Sequence, residues 1–232
     1  MGDIINGVYN AVHLILSLDP DLYSIIFLSL KVTGVAVLIA SALGIPAGTF
    51  LALRKFPGRG ALITLFNTFM GLPPVVAGLV VYLFLSRSGP LGSLELLFTP
   101  SAMVIAQALV VFPIVVALSW SAVSGVNPDV RQTAILLGAP PFKVEMRVAL
   151  EAKLGIYSAV IAGFGRAMAE VGAVLMVGGN IAGYTRVMTT AILLETQKGT
   201  FDMAIALGIV LLTLAFIVNA LLRLGQMRGF AP

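Results

Sequence analysis

The sequence contains no cysteine and a single histidine, His13. Disulfides and thiolate metal centres are therefore excluded. One imidazole cannot build a zinc site, and a Ser/His/Asp triad would have to use His13 alone. Charge is scarce as well: 10% of the 232 residues are Asp, Glu, Lys or Arg, against about a quarter in soluble domains. The formal net charge of +4 is not gathered into a basic stripe, so nucleic acid is not an expected partner. No G-x-x-x-x-G-K-[ST] phosphate loop occurs, which excludes ATP hydrolysis by that route. A cleavable signal is not expected either. Asp3 stands where a basic n-region belongs, and no small-residue cleavage site follows the apolar run Ile4–Leu18.

What the chain has is apolar length. Hydrophobic residues make up 59% of it, so the lipid bilayer is the expected solvent. Five stretches are long enough to cross, at about 22–53, 60–86, 100–124, 155–177 and 203–222, a crossing helix needing roughly twenty apolar residues. The run Ile4–Leu18 has fifteen, too few for a standard span. It reads as an interfacial helix or a short extra crossing. The expected fold is an all-α integral membrane protein: a five-span helical bundle at 22–225, preceded by an N-terminal segment at 1–21 and followed by a tail at 226–232.

The basic residues orient the bundle. One side collects nine of them: Arg54, Lys55, Arg59, Arg131, Lys143, Arg147, Lys153, Arg223 and Arg228. The other side collects three: Arg87, Arg186 and Lys198. Cytoplasmic loops carry the excess of Lys and Arg, which predicts a multi-pass protein of the cell membrane with its N-terminus outside and its C-terminus in the cytoplasm. Lys31 and Arg166 fall within spans, the former near enough to an end to snorkel.

Small residues recur at four-residue spacing, as at Gly44 and Gly48, Ala159 and Gly163, and Gly165, Ala169 and Ala173. That spacing lets helix backbones approach closely in lipid. Prolines within spans (Pro46, Pro73, Pro74, Pro113) free carbonyls that neighbours must satisfy. Packing with kinks explains them; alternatively Pro73-Pro74, after Gly71, marks a kink that lines a passage.

The polar interruption Asn127–Lys153 reads NPDVRQTAILLGAPPFKVEMRVALEAK. Asn127 is a suitable N-cap, Pro128 suits the first helical position and Asp129 complements the helix dipole. Gly138 ends that helix and Pro141 starts another, with Phe142, Met146 and Ala149 on one face and Lys143 and Arg147 on a second. The pair is either an amphipathic element lying on anionic lipid or a dock for a cytoplasmic partner.

Arg166 and Glu170 stand one helical turn apart in the fourth span. Each would cost about 2.5–3.5 kcal/mol if bare at the bilayer centre. They form a structural ion pair, or Arg166 supplies positive potential along an anion route. Beyond that span, Asn180, Thr185, Arg186, Thr189 and Thr190 offer donors to oxyanion oxygens, or else cap helices and dock a partner.

Several of these segments resemble one transporter family. Gln132-Thr133-Ala134, Gly138 and Val148-Ala149-Leu150-Glu151 resemble the "EAA loop" of ABC-importer permeases, with Ala134, Gly138 and Leu150 matching and Gln132 in place of the Glu. The stretches GLPPVVAG at 71–78, SGPLG at 88–92, GRAMAEVG at 165–172 and GNIAGYTR at 179–186 are similar to the molybdate/tungstate/sulfate branch. The run TRVMTTAI at 185–192 followed by Leu194-Glu195-Thr196 is most similar to tungstate-type members. The resemblance implies a permease subunit that pairs with a second permease copy and takes oxyanion from an external binding protein. It also implies cytoplasmic ABC ATPase subunits docked on the loop through Gln132, Thr133, Ala134, Gly138, Pro141, Phe142, Lys143 and Arg147. ATP and Mg would be bound by those ATPases, with no cofactor or metal in this chain. From the residues themselves, the candidate anion pathway or gate comprises Pro73, Pro74, Arg166, Glu170, Asn180, Thr189 and Thr190. A secondary transporter or channel for small anions is the competing class, although Arg166 and Glu170 are its only intramembrane coupling groups. An intramembrane enzyme comes third, because His13 lies outside the five spans.

Overall fold

A computed structural model of the chain describes residues 8–9, 12–13 and 15–228. The expected N-terminal run and the tail at 226–232 lie partly outside the described residues. Ten α-helices follow one another among the described residues: α1 (Pro20–Leu53), α2 (Arg59–Phe69), α3 (Pro74–Leu85), α4 (Pro100–Ser124), α5 (Pro128–Leu136), α6 (Pro141–Glu151), α7 (Lys153–Met168), α8 (Gly172–Gly178), α9 (Met188–Lys198) and α10 (Phe201–Arg228). Five of them, α1, α3, α4, α5 and α6, open on a proline. Its fixed φ suits the first turn, where the missing N–H would have had no partner anyway. Asp19 and Thr99 cap α1 and α4 by accepting from Leu22 N at 2.9 Å and Ala102 N at 3.4 Å.

Among the described residues, three helices are each long and apolar enough to cross a bilayer unbroken: α1, α4 and the Phe201–Ala220 part of α10. α1 and α4 pack along the glycine spacing expected from the sequence. Gly44 lies on the Val115 side chain, and Gly48 lies on the backbone of Val116 and Trp120. Such close approach is available only where no side chain intervenes. Pro46 and Pro113 sit inside α1 and α4 without ending them. Around this seam the interior gathers Val32, Met103, Ala106, Val174 and Val177, then Val37, Val111, Val115 and Ala167. A separate cluster of Leu22, Met168, Met188 and Leu207 joins α1, α7, α9 and α10.

The stretches at 60–86 and 155–177 do not run as continuous helices. α2 and α3 meet at an angle of 104°, the break falling at Met70–Pro73. The second stretch is interrupted at Ala169–Val171, between α7 and α8. α6 and α7 are joined through Ala152 alone and bend by 58°.

Candidate functional site

At the end of the bundle where α4 finishes and α7 begins, α5 and α6 form a compact hairpin. The Asn127 side chain accepts from Asp129 N at 2.9 Å, and Pro128 fills the first turn. Gly138, at φ +75°, reverses the chain. Its N–H donates to Ile135 O, and Ala139 N–H donates to Ala134 O, so the carbonyls ending α5 are satisfied. The hairpin is fastened from behind by Val144 and Val148 of α6, both buried. Val148 packs with Val123 and Ala152. At the side, Arg54 reaches Glu145 at 3.2 Å.

The front of the hairpin is open. Leu136, Leu137 and Phe142 are 86%, 81% and 69% exposed, a concentration of apolar surface of the kind found at protein–protein or membrane contacts. A groove of about 560 Å³ runs between the two helices, bringing together Thr133, Ala134, Lys143 and Arg147 with Asp129, Val130, Leu137 and Ala139. Gln132 is exposed beside it. Pro141 opens α6. Arg147 pairs loosely with Glu151 at 3.6 Å, which leaves its guanidinium largely available.

The second constellation lies at the two helix breaks, which pack on each other. Gly78 of α3 sits against Ala173 of α8, and Gly172 sits against Val75. Pro74 begins the helix that makes both contacts, while Pro73, next to it, is exposed. Glu170 is 1% exposed, and both of its carboxylate oxygens are used. Oε2 accepts from Arg166 Nη1 at 3.0 Å, and Oε1 accepts from Ala173 N–H at 2.9 Å. The Thr189 hydroxyl then donates to the Glu170 carbonyl at 2.7 Å. The pair is thus an ion pair and also the cap that starts α8 after the interruption. Arg166 remains about a third exposed, its charge balanced by Glu170.

The linker between α8 and α9 is tied down throughout. Phe98 N–H donates to Val177 O at 2.8 Å. The Thr185 hydroxyl donates to Gly178 O and accepts from Ile181 N–H. Asn180 Nδ2 donates to Thr190 O at 3.4 Å. The buried Thr190 hydroxyl bonds the backbone of Val187, so it is occupied by the cap of α9. Arg186 faces a pocket of about 690 Å³ that also includes Asp21, Glu195 and Asp202, and its Nε is buried without a partner. The Thr200 hydroxyl donates to Glu195 and, with Lys198 at 3.0 Å and the charge of Arg186, holds that carboxyl below the ordinary glutamate range.

Comparisons with known proteins agree with this architecture. The family model described as a binding-protein-dependent transport system inner membrane component matches residues 44–227. A tungstate uptake system permease protein, TupB of Peptoclostridium acidaminophilum, is 42% identical over 94% of this chain and 96% of its own length. A probable anion ABC transporter permease protein of Haloferax volcanii is 46% identical over 86% and 88%. The chain is also 32% identical to the molybdenum transport permease ModB of Escherichia coli K12, over 78% of this chain and 83% of that protein. Among solved structures, a bacterial ABC transporter involved in import of the acidic polysaccharide alginate shares the fold. Its TM-score is 0.74, over 96% of this chain and 84% of that one, at 19% identity. By the matched family model and by relatives that align along nearly their whole length, the chain belongs to the binding-protein-dependent transport system inner membrane components, the permease subunits of ABC importers.

Proposed function

We propose that this chain is the membrane-spanning subunit of an ATP-driven importer for a tetrahedral oxyanion, with tungstate as cargo ahead of molybdate and sulfate. Two copies form the pathway and alternate its access between the two sides. ATPase subunits carrying ATP and Mg dock on the α5–α6 hairpin from the cytoplasm, and an external binding protein delivers the ion at the opposite end. The observation that carries this reading is the rigid, capped hairpin presenting exposed Leu136, Leu137 and Phe142. The preference for tungstate is supported by the near full-length alignment with the TupB protein.

Energetics favour a coupled device. Moving a dianion into a cell held negative costs about 4.6 kcal/mol per 100 mV, at about 2.3 per charge, so a passive pore would exclude the ion. Reconstitution in liposomes tests the proposal. Tungstate uptake is expected only when the ATPase, the binding protein and ATP are supplied together. Uptake by this chain alone would sink it.

The docking surface has its own test. A side chain at Gly138 meets no atom within 4 Å, so Gly138→Val acts through the left-handed backbone alone, at a cost of about 1–2 kcal/mol. The hairpin should distort and co-purification with the ATPase should fall several-fold, while membrane insertion is unchanged. Gly138→Asn, which tolerates the same φ, should keep most of the binding. Equal co-purification of all three proteins would count against the hairpin as the dock.

A further inference from the structure

The Gln107 amide is among the buried polar groups that the packing just described leaves incomplete. Gln107 of α4 is 3% exposed. Its Nε2 donates to Ala167 O, in the last turn of α7, at 3.2 Å, but its Oε1 has no donor. Turning the amide over does not help, because Oε1 would then face the Ala167 carbonyl and repel it. Buried amide oxygens are rarely left in this condition, since such a group has given up its water without gaining a donor in return.

Gln107 lines a small cavity of about 10 Å³ together with Ser29, Thr33 and Thr189. Size limits the occupant. About one water-sized probe fits, so a tetrahedral oxyanion does not. The surrounding chemistry narrows it further. The Ser29 hydroxyl already donates to Ile25 O and accepts from Met188 N–H. The Thr189 hydroxyl already donates to Glu170 O. Their hydrogens are committed, and what they still offer is acceptor capacity. Thr33 is buried and supplies a hydroxyl able to give or accept. The site therefore wants a small species with two hydrogens to give and a lone pair to receive.

We infer that a single water molecule is a resident ligand of this cavity, donating to Gln107 Oε1 and bridging α4 to the hydroxyls of α1 and α9. Four elements converge there: α1 through Ser29 and Thr33, α4 through Gln107, the end of α7 through Ala167, and the start of α9 through Thr189. The water sits where α7 stops, one turn from the Glu170 cap. Its bonds can re-form over altered separations, whereas a direct bond holds only near 3 Å. The bridge keeps the buried groups paired while α7 shifts against α4.

A density map of the chain in a lipid nanodisc, fine enough to show ordered water, tests the site directly. A peak at about 3 Å from Gln107 Oε1 is expected; a cavity without density overturns the inference. A double-mutant cycle gives an independent reading. Gln107→Met and Thr33→Val should each lower the melting temperature, and together lower it no further than the worse single change, because both act through one bridge. Fully additive losses overturn the inference. Replacing sodium and potassium salts with choline chloride should leave melting unchanged. A shift on returning sodium would mean that a cation, not water, holds the oxygens.

Discussion

Gly48→Leu is expected to leave no folded protein to purify. A β-carbon at Gly48 would overlap the Val116 carbonyl oxygen and come 2.8 Å from Ser119 Cβ and 2.9 Å from Trp120 N. Two of these three are backbone atoms of α4, which cannot rotate aside as a flexible side chain would. Relief requires parting the α1–α4 seam, the contact around which the rest of the bundle is arranged. Overpacking a core that can adjust costs about 1–3 kcal/mol; here the clash is with backbone, and three further carbons follow the first, so the loss should approach the about 5–15 kcal/mol net stability of a whole domain. Gly48→Ala should already lower the melting temperature markedly. Gly34→Leu, on the same helix but with no atom within 4 Å of its β-carbon, should melt close to the parent. Thermal denaturation in detergent, read with purification yield, checks all three. A Gly48→Leu protein as stable as Gly34→Leu would show that the helices do not meet at this glycine.

Arg166→Ala should be the most damaging change of a charged residue. It strands the Glu170 carboxylate in a site where only 1% of its surface is exposed, and breaking a buried pair from one side costs about 3–5 kcal/mol. Removing both groups, as Arg166→Ala with Glu170→Ala, should be milder, because no bare charge remains. The double variant still loses the acceptor for Ala173 N–H, so it should not recover fully. Arg166→Ala with Glu170→Gln should do better, since a neutral amide can still cap α8. The measurement is the set of melting temperatures across these variants, read beside tungstate uptake in the reconstituted complex. If Arg166→Ala and the double alanine variant lose equal stability, the guanidinium does nothing for the carboxylate. Recovered stability without recovered uptake would assign Arg166 a duty in the pathway beyond balancing Glu170.

Much of the hairpin was legible because its determinants are local. Asn127-Pro128 and Gly138 act within a few residues, through caps and one left-handed turn. Which face of α6 turns inward was not legible. Helical periodicity offers a Phe142/Met146 stripe and a Val144/Val148 stripe, and it is the contact with Val123 and Ala152 that selects the second. The exposed first stripe is the one that helical spacing had grouped as the apolar face. Residue Arg54 meets Glu145 across 91 positions of sequence, a separation that no local pattern reports.

The breaks illustrate the same limit. Gly71 and Pro73-Pro74 announce an interruption, but a hydropathy window averages over it and shows one span where two helices meet at 104°. The interruption after α7 has no proline to announce it. Glu170 and Thr189 bond across it, through contacts with α8 and α9 that no local pattern reports. A charged pair at i and i+4 suggested mutual neutralisation on a continuous helix. In the folded chain Glu170 lies beyond the end of that helix, and its second oxygen starts the next.

The single-residue joint at Ala152 sets a lever length in the fold. α6 passes into α7 through that one residue, with no loop between the two helices. With sixteen residues, α7 is about 24 Å long. A tilt of about 10° at the joint would sweep its far end through roughly 4 Å, on the same helix length. That far end carries Arg166, so by geometry alone a few degrees at the joint correspond to ångströms at the interrupted span.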